Sequence, residues 1–170
     1  MIGAARETAT ALELETAPEL ETAADLDLVT FPNDWSYDEL VLVRDIPFEA
    51  SRDLDGLAYH GVAHVAYAPA DRVVGASELA RLVERVAAHA STQEQLTVRV
   101  ASVLSTAVSA RGAGVIVEAE RWTLRSGVGG VRTVTTALTG CLRDDRAARA
   151  EFLASAREPS RVAVSRSGSA

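Results

Sequence analysis

Two stretches with helical spacing lie between two pairs of stretches with strand character, and that order constrains this chain more than any other feature. Residues 40–48 and 62–68 are rich in apolar and β-branched side chains, the second closed by Pro69, and both read as strands. Residues 77–89 place Leu79, Leu82, Val83, Val86 and Ala87 on one helical face. Residues 92–108 repeat that spacing with Leu96, Val100, Val103, Leu104 and Ala107. Gly112 and Gly114 then break the chain before two further strands, 115–123 and 131–139, joined by the glycine-rich SGVGG of 126–130. A short helix over 144–154 ends the pattern. The order ββααββ predicts an α+β domain in which two helices cover one face of a four-stranded antiparallel sheet. Such a sheet leaves two edge strands open to pairing with other subunits.

Composition narrows the classes. With 48% hydrophobic and 24% charged residues in 170, the chain has the make-up of one soluble domain with a real core. No apolar run approaches the ~18 residues of a membrane span. No basic stretch followed by an apolar one opens the chain, so a cytoplasmic protein with no membrane partner is expected. Cys141 is the single cysteine and there is no lysine. An intrachain disulfide, a multi-cysteine metal site and Schiff-base catalysis by lysine are thereby excluded. Of the net charge of −7, residues 1–30 hold −6, seven acids against Arg6. No basic stripe interleaved with aromatics follows, so nucleic acid is not an expected partner. LETA occurs at 14–17 and again at 20–23, with Pro18 between. The expected organisation is an acidic leader over 1–36, partly disordered, a folded domain over 37–158 and a flexible tail over 159–170.

Residues 37–69 read YDELVLVRDIPFEASRDLDGLAYHGVAHVAYAP, and DRVVGASELARLVE, TQEQLT, VIVEAE, RTVTTAL and RDDRAARAEFL follow in that order. Over 37–153 these segments resemble the GTP cyclohydrolase I family. The resemblance implies the tunnelling fold, in which sheets from several copies join into a barrel. It also implies a homo-oligomer of pentamer or decamer type that binds a small molecule between subunits. The family has a long helical region before its YDE segment, where this chain has 36 residues.

The resemblance also shows what has changed. Where the family has Cys-Glu-His-His, this chain has Arg52, Asp53, Leu54 and Asp55, and the family's second zinc cysteine falls on Thr123. A hydrolytic zinc takes about three Cys, His or carboxylate ligands plus one open position. Arg52 is cationic and only donates, which leaves Asp55 as one ligand of three. The family's acid–base histidine aligns with Leu54, which transfers no proton. A second pocket histidine aligns with Arg121, followed by Trp122. No metal, no cofactor and no zinc-dependent opening of GTP are therefore expected. Arg52 and Asp55 either form a salt bridge where the metal was or stand as solvated loop charges.

Ligand contacts are partly kept. In Gln93-Glu94-Gln95, Glu94 matches the glutamate with which the family grips the N–H edge of guanine, a fitting task for a carboxylate. Ser91-Thr92-Gln93-Glu94 also fits a capping box in which Glu94 reaches back to the cap. Ser77 matches part of the family's triphosphate grip and equally suits a helix N-cap. Beside it Glu78 reverses the charge of the family's lysine, while Arg81 is retained. The candidate acid–base groups are Asp53, Arg121, Arg52 and Tyr59. The candidate ligand contacts are Glu94, Gln93, Ser77, Arg81, Leu54, Trp122 and His60. His64 reads as structural and His89 as a helix-end residue. The expected function is a repurposed, metal-independent enzyme of cyclisation, isomerisation or dehydration type acting on a heterocyclic or uncharged metabolite. The alternative is a non-catalytic binding or regulatory homologue of an active cyclohydrolase.

Overall fold

A computed structural model of the chain describes residues 28–51, 58–121 and 131–157. Strands β1 (Thr30–Pro32), β2 (Val41–Ser51), β3 (Ala58–Ala68) and β4 (Arg72–Val74) come first, followed by helices α1 (Ala76–His89) and α2 (Gln93–Ala107). Strands β5 (Gly112–Arg121) and β6 (Val131–Leu138) and helices α3 (Gly140–Asp144) and α4 (Arg146–Arg157) complete the chain. The main sheet has the order β2-β3-β5-β6 and is antiparallel throughout. The ββααββ order expected from sequence is observed within it.

The additions lie outside that pattern. β1 and β4 pair as a separate two-stranded sheet, so residues 30–32 of the segment read as leader form a strand. The final helix is two helices. Thr139 leads into Gly140, whose φ of +51° suits glycine, and a Cβ there would overlap the carbonyl oxygen of Arg111.

The strands run between two distinct ends. At one, which we call the loop end, β2 stops at Ser51 and β3 starts at Ala58; Tyr59 pairs with Arg121, which pairs with Val131. The strand ends that flank residues 52–57 and 122–130 are therefore side by side. α1 runs toward this end and α2 starts from it. The other, the arm end, holds β1, β4, α3 and α4.

Burial differs between the ends. Near the loop end residues alternate: Ile46, Phe48 and Ala50 are buried while Pro47 and Glu49 are exposed. That is one face packed and one open. Toward the arm end β3 is buried continuously from Ala63 to Ala68, as expected of a strand covered on both faces. One face carries α1 and α2, whose Leu79, Leu82, Leu96 and Leu104 are fully enclosed against Ala63, Val65, Val115 and Val117. Each such leucine contributes about 1.5–3 kcal/mol of burial. Among the described residues the opposite face is closed at the arm end alone, by Leu142, Phe152 and Ala156 against Ala66 and Ile116.

Between Val43 and Ile46 the β2–β3 register shifts. Asp45, at φ 58°, sits in this bulge and its backbone N–H donates to Nδ1 of His64 at 3.3 Å. His64 Nε2 lies 3.9 Å from Glu118 Oε1. His64 thus holds the bulge in place, in keeping with its structural reading.

Candidate functional site at the loop end

Of the candidate residues, the described ones that the fold brings to the loop end are Tyr59, His60, Gln93, Glu94 and Arg121. Asp53, Leu54 and Arg52 lie in 52–57 and Trp122 in 122–130, outside the described residues, but the strands that carry those segments are adjacent. Arg121 ends β5 beside Tyr59. Glu94 sits in the first turn of α2, close by. Among the described residues no three His, Cys, Asp or Glu side chains converge as metal ligands, and the positions of interest, Arg52, Asp55 and Thr123, are not among them.

Sequence leaves open whether Glu94 caps its helix. It does not. Thr92 is the N-cap, and its Oγ1 accepts from the backbone N–H of Gln95 at 3.1 Å. The reaching-back role belongs to Gln95, whose Oε1 accepts from the N–H of Ser91 at 2.9 Å. Glu94 is exposed and makes no hydrogen bond or ion pair to a described residue.

Gln93 is almost wholly buried, 2% exposed. Its Nε2 donates to the carbonyl oxygens of Val117 and Thr133, both at 3.0 Å, and to Thr135 Oγ1 at 3.2 Å. Its amide nitrogen is therefore committed to the fold and bolts α2 to β5 and β6. Tyr59 is 1% exposed and packs edge-on against Phe48 on the helix face, with ring centroids 6.0 Å apart.

His60 lies on the open face of the sheet. It lines a groove of about 610 Å³ with Ile46, Pro47, Phe48, Glu49 and Glu84, among others. On its other side a smaller recess of about 190 Å³ adds Glu118, Glu120 and Arg132. Glu49 and Glu120 are its cross-strand partners. Sequence reading missed this acidic frame, because the neighbours of a strand residue become readable only once the register is known.

Ser77 and Arg81 are not at this end. They occupy the first half of α1, roughly 18 Å (Ser77) and 12 Å (Arg81) along the helix axis from its loop-end terminus at 1.5 Å per residue. Ser77 is not the cap either; that position is Gly75, with no side-chain bond. Glu78 accepts from Arg81 Nη1 at 3.0 Å, and its other oxygen accepts from the N–H of Val29 at 3.4 Å. The cation of Arg81 is thus answered within the chain by a neighbour three residues away.

The family profile described as GTP cyclohydrolase I matches residues 6–157. This chain belongs to the GTP cyclohydrolase I family. Its ββααββ sheet with a helix pair on one face is the tunnelling fold. The GTP cyclohydrolase 1 of Streptococcus thermophilus is 43% identical over 127 residues, 72% of this chain and 67% of the relative. That of Mycolicibacterium gilvum is 40% identical over 134 residues, covering 75% and 65%. The chain thus spans about two thirds of the length of these GTP cyclohydrolase relatives. A solved structure titled archaeosine synthase QueF-Like in the apo form superposes with a TM-score of 0.49 and 19% identity, covering 59% of this chain and 93% of that one.

Proposed function

We propose that this chain is a repurposed, metal-independent member of the GTP cyclohydrolase I family. In this reading it is an enzyme that binds an uncharged heterocyclic metabolite between copies of itself and does not hydrolyse GTP through zinc. The observation that carries the proposal is Glu94: a carboxylate without a partner among the described residues, on a helix turn otherwise tied down, at the end of the sheet from which 52–57 and 122–130 leave. Such a group takes two charge-assisted hydrogen bonds from an N–H edge.

The donor set does not fit zinc. Arg52 and Thr123 stand at two of the three ligand positions, and Asp55 alone does not hold the ion. Asp53, Arg52 and Arg121 are the acid–base groups in this proposal, with Leu54 and Trp122 as apolar walls and His60 at the rim. The buried Tyr59 supports them by packing. Glu78 beside Arg81 supports a ligand without a triphosphate, since a carboxylate there repels one. Within one chain Ser77 and Arg81 stand apart from Glu94. A second copy, joined through the outer edges of β2 and β6, is what brings them near it, in a pentamer or decamer. A cytoplasmic location is part of the same proposal; among the described residues no helix is long and apolar enough to cross a membrane.

Metal analysis of the purified protein, together with a GTP turnover assay that follows formate release, tests this reading. The expected result is neither stoichiometric zinc nor formate; finding both sinks it. The open outer edges of β2 and β6 also support a second reading, a non-catalytic subunit that co-assembles with an active cyclohydrolase. Co-purification with such an enzyme favours the second reading, and a homo-oligomer with a small molecule against Glu94 favours the first.

A further inference from the structure

Beneath Glu94 the hydrogen bonds close into a ring. Thr97 Oγ1 donates to the carbonyl oxygen of Gln93 at 2.7 Å. A threonine hydroxyl has one proton, so in its 2.6 Å contact with Thr135 Oγ1 Thr97 is the acceptor and Thr135 the donor. Thr135 Oγ1 in turn accepts a shared proton from Gln93 Nε2 at 3.2 Å, the longest of three contacts from an amide with two protons. The circuit therefore runs in one direction, from the Gln93 amide to Thr135, on to Thr97, and back to the Gln93 carbonyl. Gln93 and Thr97 are 2% and 1% exposed, where bonds in a chain strengthen one another. The ring joins the first turn of α2 to β6, four residues after that strand leaves the 122–130 segment.

We infer that Thr135 is a positioning residue for Glu94: its hydroxyl fixes the turn that presents the carboxylate to a neutral heterocycle with an N–H edge. The inference rests on the reading of Glu94 as ligand anchor. Thr135 itself does not touch the ligand. It acts through Gln93 and Thr97, and it locks the height of the Glu94 turn to β6.

Guanosine is a suitable probe, because it offers the N–H edge without phosphate. Its affinity is measured by calorimetry on the full chain, well below the melting temperature of every variant. Thr135→Val keeps the shape and removes the hydroxyl, and the expected result is binding weakened about 3- to 10-fold, the scale of one lost hydrogen bond. Thr135→Ser keeps the hydroxyl and is expected to bind as the parent does. Glu94→Gln is expected to abolish binding. A Thr135→Val protein that binds as tightly as the parent, while Glu94→Gln does not bind, overturns the positioning role and leaves the anchor standing. Guanosine binding that is absent from the parent, or indifferent to Glu94→Gln, overturns the anchor and the inference with it. If Thr135→Val does not fold, Thr97→Val opens the same ring from the helix side and is held to the same outcomes.

Discussion

The two ends of the sheet solve opposite problems. At the arm end both faces are packed and the polar groups are answered internally. The Tyr67 hydroxyl accepts from the N–H of Val74 and donates to its carbonyl, at 2.9 and 3.2 Å. Arg72 bonds Thr30 twice, at 2.7 and 2.9 Å, and Arg111 bonds the carbonyls of Pro69 and Asp38. At the loop end one face stays open, and Glu94 and His60 stand without partners among the described residues while the groups around them are tied down. The arm end is built for stability. The loop end spends its hydrogen bonds on holding a few polar groups ready for something that is not part of the fold.

Substitutions that separate stability from binding test this division, and the largest effect belongs to the arm end. Phe152 is fully buried among Leu142, Ala66 and Ile116. Phe152→Ala is expected to destabilise by about 3–5 kcal/mol, read from urea unfolding; a loss under ~1 kcal/mol would mean that α4 is not part of the core. The reverse pattern is expected of Glu94→Ala. Guanosine binding should be lost, as for Glu94→Gln, with unfolding free energy changed by no more than ~0.5 kcal/mol. If the two quantities fell together, Glu94 would belong to the fold and the contrast between the ends would fail.

Tyr67 gives a pH test confined to the arm end. Burial pushes its hydroxyl above the ordinary value of 10.0, and the hydrogen bond with Val74 partly opposes this. The unfolded chain therefore ionises first. The stability tied to this group is intact below pH 10 and declines as pH rises above it. Tyr67→Phe is expected to cost about 1–2 kcal/mol at neutral pH by leaving the Val74 N–H without its acceptor, and to flatten the alkaline decline. Equal slopes for the two proteins above pH 10 would contradict it. The smallest effect is expected from Glu78→Gln. Arg81 is 66% exposed, so their pair is worth at most about 1 kcal/mol. The informative readout is the ratio of GTP to guanosine affinity, which should shift toward GTP once Arg81 is released.

Much of the framework was legible in the sequence, because its elements are long enough to carry a period. Leu79, Leu82, Val83 and Val86 announce α1, and all four are buried. β1 and β4 were not legible: three residues show no alternation, and Arg72 is recognisable as part of a sheet only through its bonds to Thr30. α3 was missed because its five residues are too short to carry a period, and they fall mostly between the strand expected over 131–139 and the helix expected over 144–154. In the site, resemblance singled out Glu94 and Gln93 together, yet their environments are opposite. Neighbours on a helix face different directions, and only the packing of α2 on β5 and β6 shows which one is enclosed. The tie between Glu78 and Arg81 was available from their three-residue spacing alone.

The bulge at Arg44 and Asp45 has a consequence for how β2 serves both ends. Val41 and Val43 face the helix pair, as do Ile46, Phe48 and Ala50. Odd positions point inward before the bulge and even positions after it. Paired regularly, without the bulge, the same sequence would keep one parity, and Pro47 and Glu49 would turn into the core while Phe48 turned to solvent. The bulge is a phase corrector. It allows a chain whose apolar pattern slips by one to run as a single strand from a region walled on both sides into one open on one side, and Asp45 holds that slip with the bond it gives His64. Deleting either residue is expected to remove the bulge and leave a plain strand with Ile46, Phe48 and Ala50 still facing the helix pair.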